Sequence, residues 1–435
     1  MWFDEMVIYQ IYPFGFVGAP EFNDGKTENR LVKIERIIPH LKKLNVNALY
    51  LCPIFESTRH GYDTKDFSKI DCRLGTNNDF KSLCNRLHEN GIKIILDGVF
   101  NHVGRDFFAF KDVQQNRQNS AYKDWFYIDF GGNNNYNDGF YYEGWEGHFE
   151  LVKLNLDNQD VKNYLFECIK NWILDFDIDG LRLDVAYMLN KNFMKELRII
   201  TNQAKQDFFL VGEMIHGDYN SIVNNEMLNS ATNYECYKGI YSSFNEMNMF
   251  EISYSLNRQF GNESWCLYTG KNMVSFVDNH DVSRIASSLT NKNHLKLAFG
   301  LLFTMPGIPC VYYGSEWGQE GEKVPGSDAT LRPQIETPIF NELTEYISKL
   351  SKLRVANKVL AYGSFANVLI TNHQYVFERK LDEKRILVMI NASDQDFNAN
   401  LNLDGVDSLE LISDTKVKLS NSVTLPPCSI QIFEC

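Results

Sequence analysis

Apolar residues follow two rhythms along the chain. Short, nearly continuous apolar runs recur at "MVIYQIYP" (6–13), "VNALYLCPI" (46–54), "IKIILDGVF" (92–100) and "GLRLDVA" (180–186). Four more follow, "DFFLVGEM" (207–214), "NSATNYE" (229–235), "NMVSFVDNHD" (272–281) and "IPCVYYG" (308–314). Between them lie stretches with helical spacing: 30–44, 78–91, 161–176, 193–205, much of 236–260, and 293–305. Strands that are apolar throughout, separated by helices, belong to a parallel sheet covered on both sides. Eight such units are the number that closes a (β/α)8 TIM barrel. The alternative is an open, doubly wound sheet, but no GxGxxG follows the first strand, and "YQIYPFGF" offers no phosphate cradle.

The rhythm breaks twice. Residues 103–155 interrupt it, and "GGNNNYNDGFYYEGWEGHFELVKLN" within them is rich in Gly, Asn and aromatics. A long irregular segment of that aromatic density reads as a small lobe inserted after the third strand. From about residue 356 the pattern becomes strands and turns with no helix, which predicts an antiparallel β-sandwich. The organisation expected is therefore a barrel from 1–102 and 156–355, a lobe at 103–155 and a sandwich at 356–435.

Composition narrows the class. A chain of 435 residues with 44% hydrophobic and 23% charged residues is that of a globular protein. Its formal charge of −13 repels nucleic acid and anionic membrane surfaces, so neither is expected as a partner. No apolar stretch is long enough to span a bilayer, and the opening "MWFDEMVIYQ" lacks the pattern of a secretion signal. Nine cysteines without a CxxC pair point to reduced thiols and a cytoplasmic setting, with little support for zinc. Aromatics reach 14%, enough to provide flat platforms for apolar ligand faces.

In a barrel, chemistry belongs at the C-terminal ends of the strands. Charged and polar residues collect there: Asp97, Asn101 and His102 after strand three, Arg182 and Asp184 on strand four, Glu213 after strand five, and Asp278, His280 and Asp281 after strand seven. Each alone has a bland reading. Asp97 suits a carboxylate tying loops, His102 a satisfied hydrogen-bonding histidine, and the 280–281 pair half of a metal site. Together they do not, because several buried charges on one rim cost several kcal/mol each without a use. Paired carboxylates without a catalytic cysteine or phosphate loop suit glycoside hydrolysis, in which one attacks the sugar carbon and another protonates the leaving oxygen. Arg182 is expected to keep Asp184 ionised, and the apolar setting of Glu213 to raise its pKa towards that of an acid/base.

"DGVFNH" (97–102), "GLRLDVA" (180–186), "VGEM" (211–214) and "FVDNHD" (276–281), in that order, resemble the α-amylase family of glycoside hydrolases. The likeness covers the whole chain and implies a retaining mechanism on α-glucan oligosaccharides. It implies Asp184 as nucleophile, Glu213 as general acid/base and Asp281 as the third carboxylate. His102, Arg182 and His280 would contact the sugar at the cleaved bond, Tyr62 would stack on it with Asp63 beside it, and Asp328 and Arg332 in "GSDATLR" would hold the next sugar on the non-reducing side. "YYEGWEGHFELVKLNLDNQDV" and Val185 look similar to the neopullulanase, cyclomaltodextrinase and maltogenic amylase members, some of which cut both α-1,4 and α-1,6 bonds. Trp145 and Phe149 are candidates either for stacking on sugar or for packing the lobe.

Two features depart from the family. Tyr187 and Met188 stand where many α-amylases carry a lysine–histidine pair, so a calcium ion bridging lobe and barrel through Asn101 has little support; no cofactor is expected. The β domain that usually precedes the barrel in neopullulanase-like enzymes is not seen, which leaves monomer and homodimer both open. A glucanotransferase shares the same catalytic residues, an α-1,6-glucosidase is a further option, and a non-catalytic glucan-binding relative would have lost at least one of the three carboxylates.

Overall fold

The computed structural model describes residues 1–403 and 405–435. Eight parallel strands form one sheet: β1 (Ile8–Ile11), β2 (Ala48–Leu51), β3 (Lys93–Gly98), β4 (Gly180–Leu183), β5 (Phe209–Gly212), β6 (Ser230–Ala231), β7 (Val274–Phe276) and β8 (Ile308–Tyr312). Their order is β6-β5-β4-β3-β2-β1-β8-β7, and a parallel bridge from Thr232 to Val274 joins the two edges into a barrel. Every residue of these strands except Lys93 is buried, as their continuous apolar character requires. The surrounding helices start on side-chain caps. Thr76 and Asp79 form a reciprocal capping box at Asn77–Glu89, while Asn158 and Asn190 cap Gln159–Phe176 and Lys191–Ala204.

Two helices are broken where a single one was expected. The 30–44 segment divides into Val32–Arg36 and Ile38–Lys43, because Pro39 cannot continue the first helix but suits the first turn of the second. The 236–260 segment divides into Tyr234–Asn245 and Met249–Phe260, with Met247 left-handed at the corner.

The lobe is tied to the barrel rim by strand His102–Gly104, which pairs antiparallel with His148–Lys153; Gly144–Trp145 completes that small sheet. A helix at Phe108–Asn116 lies within the lobe. Trp172 of a barrel helix stacks on Phe55 with ring centroids 4.1 Å apart and lies against Phe67 and Phe100, in the aromatic core where lobe and barrel meet.

The C-terminal unit has a six-stranded antiparallel sheet and a two-stranded ribbon, Phe397–Asn400 with Ser422–Leu425. Neighbouring residues on its strands alternate between two cores. Tyr375, Phe377, Ile386 and Val388 join the barrel's core, while Val376, Leu387 and Met389 pack under the ribbon with Ala399 and Leu425. The expectation of a C-terminal stretch with no helix fails at its start, because Lys358–Tyr362 is a helical turn. Val359, Leu360 and Ala361 are all buried, and a short apolar run has no period to separate the two forms.

Candidate active site

The charges of the rim meet around one guanidinium. Arg182 Nη1 donates to Asp97 Oδ1 at 2.8 Å and to Asp184 Oδ1 at 2.7 Å, and its Nη2 lies 2.7 Å from Glu213 Oε1. All four side chains are buried. Strand register explains the meeting: Arg182 pairs with Asp97 on β3 and Val211 on β5, so its side chain rises between the ends of both neighbours.

One cation among three buried carboxylates leaves the cluster short of positive charge. Burial is the largest influence on Asp184 and outweighs Arg182, carrying its pKa up to about 7, with Glu213 pushing the same way. Burial likewise lifts Asp97 to about 7 and raises Glu213. Arg182 favours the ionised form of Asp184 while burial and Glu213 oppose it; the guanidinium is shared, and protons on the cluster belong to the set rather than to one residue.

Val185 links the two principal carboxylates. It is β-branched yet left-handed at φ 40°, and its N–H donates to Glu213 Oε2 at 3.0 Å. Strain of this kind costs about 1–3 kcal/mol and persists where the surroundings enforce it.

Asp281 has the opposite environment. Burial alone would raise it, but His280, Arg332 and Arg182 outweigh burial and bring it to about 2. Arg332 Nη2 lies 2.9 Å from Asp281 and 2.8 Å from Asp328, so one arginine ties both acids. Burial drives His280 down to about 3, so its ring is neutral. The Gln10 amide points into its Nδ1 at 2.9 Å, which leaves the proton on Nε2, 3.1 Å from Asp281 Oδ2. The imidazole lies parallel to Tyr62 and Tyr12, at interplanar angles of 5° and 8° with ring centroids 5.8 and 6.3 Å apart, and the Tyr62 hydroxyl meets its Nε2 edge-on at 2.5 Å.

A cavity of about 580 Å³ opens over these groups, with Asp184, Glu213 and Asp281 in its lining together with Tyr62, His102, Trp145, Asp328 and Arg332. Arg182 and His280 lie beneath it. Burial keeps His102 neutral, lowering it to about 3, and its Nε2 is 3.9 Å from Asp184 Oδ2. His102 Nε2 and Trp145 Nε1 are both buried without a protein partner among the described residues. Two such groups on one cavity wall are suited to ligand hydroxyls.

Two expected residues sit elsewhere. Phe149 is not in the cavity lining; it packs edge-on against Tyr141 and Tyr142, at 5.8 and 5.4 Å. His148 and Glu150 line the cavity, and the residue between them on a strand must face the other way. Asp63 is also outside the lining; its carboxylate accepts the His60 N–H at 3.1 Å and shapes the loop that presents Tyr62.

Sequence reasoning missed Tyr234 and Asn279. Tyr234 OH lies 3.4 Å from Glu213 Oε1 and accepts from Asn279 Nδ2 at 3.1 Å, and Asn279 Oδ1 accepts the Asp281 N–H at 2.9 Å. These contacts connect the third carboxylate to Glu213. The signal was available: Tyr234 follows β6 on the same rim as every other candidate. Among the described residues, Glu56, Asp71 and Cys72 cluster closely enough to share an ion. Arg73 already holds Asp71 at 2.8 Å and Lys65 holds Glu56 at 3.1 Å, so the donor set is spent on ion pairs.

A closed barrel whose rim gathers buried carboxylates on a shared arginine, under a lobe from its third strand, has the layout of a (β/α)8 glycoside hydrolase. A family model described as "Alpha amylase, catalytic domain" matches residues 10–359, and one for the "Maltogenic Amylase, C-terminal domain" matches 367–432. The chain belongs to the α-amylase family of glycoside hydrolases. It is 31% identical to a cyclomaltodextrinase of Thermoanaerobacter pseudethanolicus, an alignment covering 100% of this chain and 78% of that protein. It is 32% identical to neopullulanase 2 of Thermoactinomyces vulgaris, over 90% of this chain and 70% of that one. A solved cyclomaltodextrinase structure superposes with a TM-score of 0.89 at 28% identity, covering 100% of this chain and 78% of the other.

Proposed function

We propose that this protein hydrolyses α-glucosidic bonds in short α-glucans, maltodextrins or cyclodextrins, with retention of anomeric configuration. The observation that carries the reading is the arrangement of Asp184 and Glu213 on opposite sides of Arg182, with both carboxylates facing one cavity. An Asp184 oxygen attacks the anomeric carbon as the glycosidic C–O bond breaks, and the leaving oxygen takes the proton of Glu213. Water then attacks the glycosyl–Asp184 ester and gives its proton to Glu213, which restores both groups.

The remaining residues hold the sugar. Asp281 accepts hydroxyls of the ring at the cleaved bond, His102 donates to it and Tyr62 packs against it, while His280 beneath positions Asp281 and Tyr62. Asp328 and Arg332 grip the neighbouring sugar on the non-reducing side. Val185, which lines the cavity, and Tyr187, whose hydroxyl lies 3.3 Å from Glu146 of the lobe, shape the acceptor side and so the choice between α-1,4 and α-1,6 bonds.

Nine free thiols suit a reducing, cytoplasmic setting. Among the described residues no helix is long and apolar enough to cross a membrane.

The test is an early-time NMR reading of product anomers from maltotriose, cyclodextrin and pullulan. The α-anomer must appear first, and Asp184→Asn must abolish it. A β-anomer, or undiminished cleavage by that variant, contradicts the assignment.

A further inference from the structure

We infer that Thr232 is a positioning residue for the acid/base Glu213, acting through the backbone beside it and through water held in a small chamber beneath Arg182. This rests on the α-glucan hydrolase reading above. Thr232 follows β6 and makes the bridge to Val274 that closes the barrel.

The ends of the strands explain why this position matters. β5 stops at Gly212, so Glu213 and Met214 have left the sheet where they reach the rim. The Glu213 N–H donates to the Leu183 carbonyl of β4 at 2.9 Å, which ties the residue on one side. On the other side β6 has run out. The Thr232 N–H still donates to the Gly212 carbonyl at 3.0 Å, but the Thr232 carbonyl accepts the Tyr234 N–H at 3.3 Å and does not continue the ladder. The Thr232 hydroxyl oxygen takes over and accepts the Met214 N–H at 2.9 Å. A side chain thus holds the main chain one residue from the acid/base. Met214 is buried, so an N–H released there is costly.

The hydroxyl keeps its own proton to give. Thr232 lines a chamber of about 30 Å³ with Gln10, Arg182, Glu213 and Tyr234, and the last two also line the catalytic cavity above. That volume suits one water, whose share of the liquid is about 30 Å³. Three polar groups on its wall have bonding capacity left among the described residues. The Thr232 O–H and the Arg182 Nε–H have no acceptor, and Gln10 Oε1 receives only the Cys310 thiol at 4.0 Å. A water there accepts from Thr232 or Arg182 and donates to Gln10, so Thr232 joins the set that carries the shared guanidinium.

The Met214 contact bears on Glu213 and not on Asp184, which leaves from β4. A displaced Glu213 transfers its proton to the leaving oxygen less well, while attack by Asp184 is spared. The dependence therefore follows the leaving group: a glucosyl oxygen needs the proton of Glu213, and fluoride departs with little help from it.

The test compares maltotriose with α-maltosyl fluoride. Thr232→Val, of the same shape without the hydroxyl, must lower kcat/KM for maltotriose about tenfold and leave that for the fluoride within about twofold of wild type. Thr232→Ser, which keeps the hydroxyl, must restore maltotriose cleavage to within about threefold of wild type. If the valine protein does not fold, Thr232→Ala carries the same expectations. A crystal structure of wild type must show water within hydrogen-bond distance of Thr232 Oγ1. Equal losses on both substrates, unchanged maltotriose cleavage, or a serine variant no better than valine overturns the positioning role, and a dry chamber overturns the water; each leaves the hydrolase reading intact. Wild type that cleaves neither substrate overturns both.

Discussion

Two aspartates that flank one strand, β4, have opposite surroundings. Asp179, at the lower end of β4, receives His88 at 2.7 Å, Lys93 at 3.0 Å, Lys205 at 2.9 Å and the Ile94 N–H at 2.9 Å. Burial alone would raise it, yet those partners outweigh burial and hold its carboxyl well below the usual range. Asp184, past the upper end, shares a single arginine with two other carboxylates and is pushed up to about 7. Both are buried, both touch cations, and both look alike in sequence. At the two ends of β4, the ratio of cations to carboxylates separates the aspartate held charged below from the one held near neutrality above.

The comparison breaks most sharply by substitution. Asp184→Asn and Glu213→Gln are each expected to lower kcat by about 10³-fold or more with far-UV circular dichroism unchanged. Asp179→Asn is expected to leave kcat per folded molecule near wild type and to lose about 1–3 kcal/mol in denaturant unfolding, since its lysines and histidine lose their partner. A stable Asp179→Asn protein with little activity would reverse the roles assigned to the two ends of β4.

The pH response sharpens it further. Asp179 titrates below its unfolded value, so its stabilising share is present above about pH 4 and is lost as pH falls further. Asp184 titrates above its unfolded value, so the folded state holds the extra proton and stability declines as pH rises from about 4 towards 7. Thermal melts between pH 4 and 8 should accordingly show a flatter decline in Asp184→Asn than in wild type.

Smaller effects are expected at the positions that support the site. Tyr234→Phe removes a hydroxyl facing Glu213 and should cost about tenfold in kcat. Its loss should also move the alkaline limb of the rate profile upward, because a donor to the carboxylate favours the ionised form. A profile that shifts downward or stays fixed would leave Tyr234 a packing residue. Phe149→Leu, inside the lobe, should change KM less than twofold while lowering Tm by a few degrees, since it trims aromatic packing only.

The barrel was legible because each strand is apolar enough to be buried on both faces, and the rim charges stood out against that background. Arg182, Asp184 and Glu213 were found that way, and the four ordered motifs gave the family. What was not legible depended on geometry across strands. The sharing of Arg182 among three acids follows from register, which no local pattern encodes. Tyr234 is one of 22 tyrosines and opens a helix, so only its place after β6 distinguishes it. Phe149 stays open in the sequence between stacking on sugar and packing the lobe, and only the alternation along strand His148–Lys153 decides for packing. The helical turn at Lys358–Tyr362 shows that a buried apolar run of a few residues carries no period to read.

The central claim is that the upper charges of β4 are held against stability for the sake of chemistry. It is tested most directly by the melting temperature of Asp184→Asn against wild type at pH 8. The account predicts a rise of a few degrees, corresponding to about 1–2 kcal/mol, that shrinks towards zero near pH 4. A fall in melting temperature at pH 8 would contradict it and make Asp184 a second structural aspartate like Asp179.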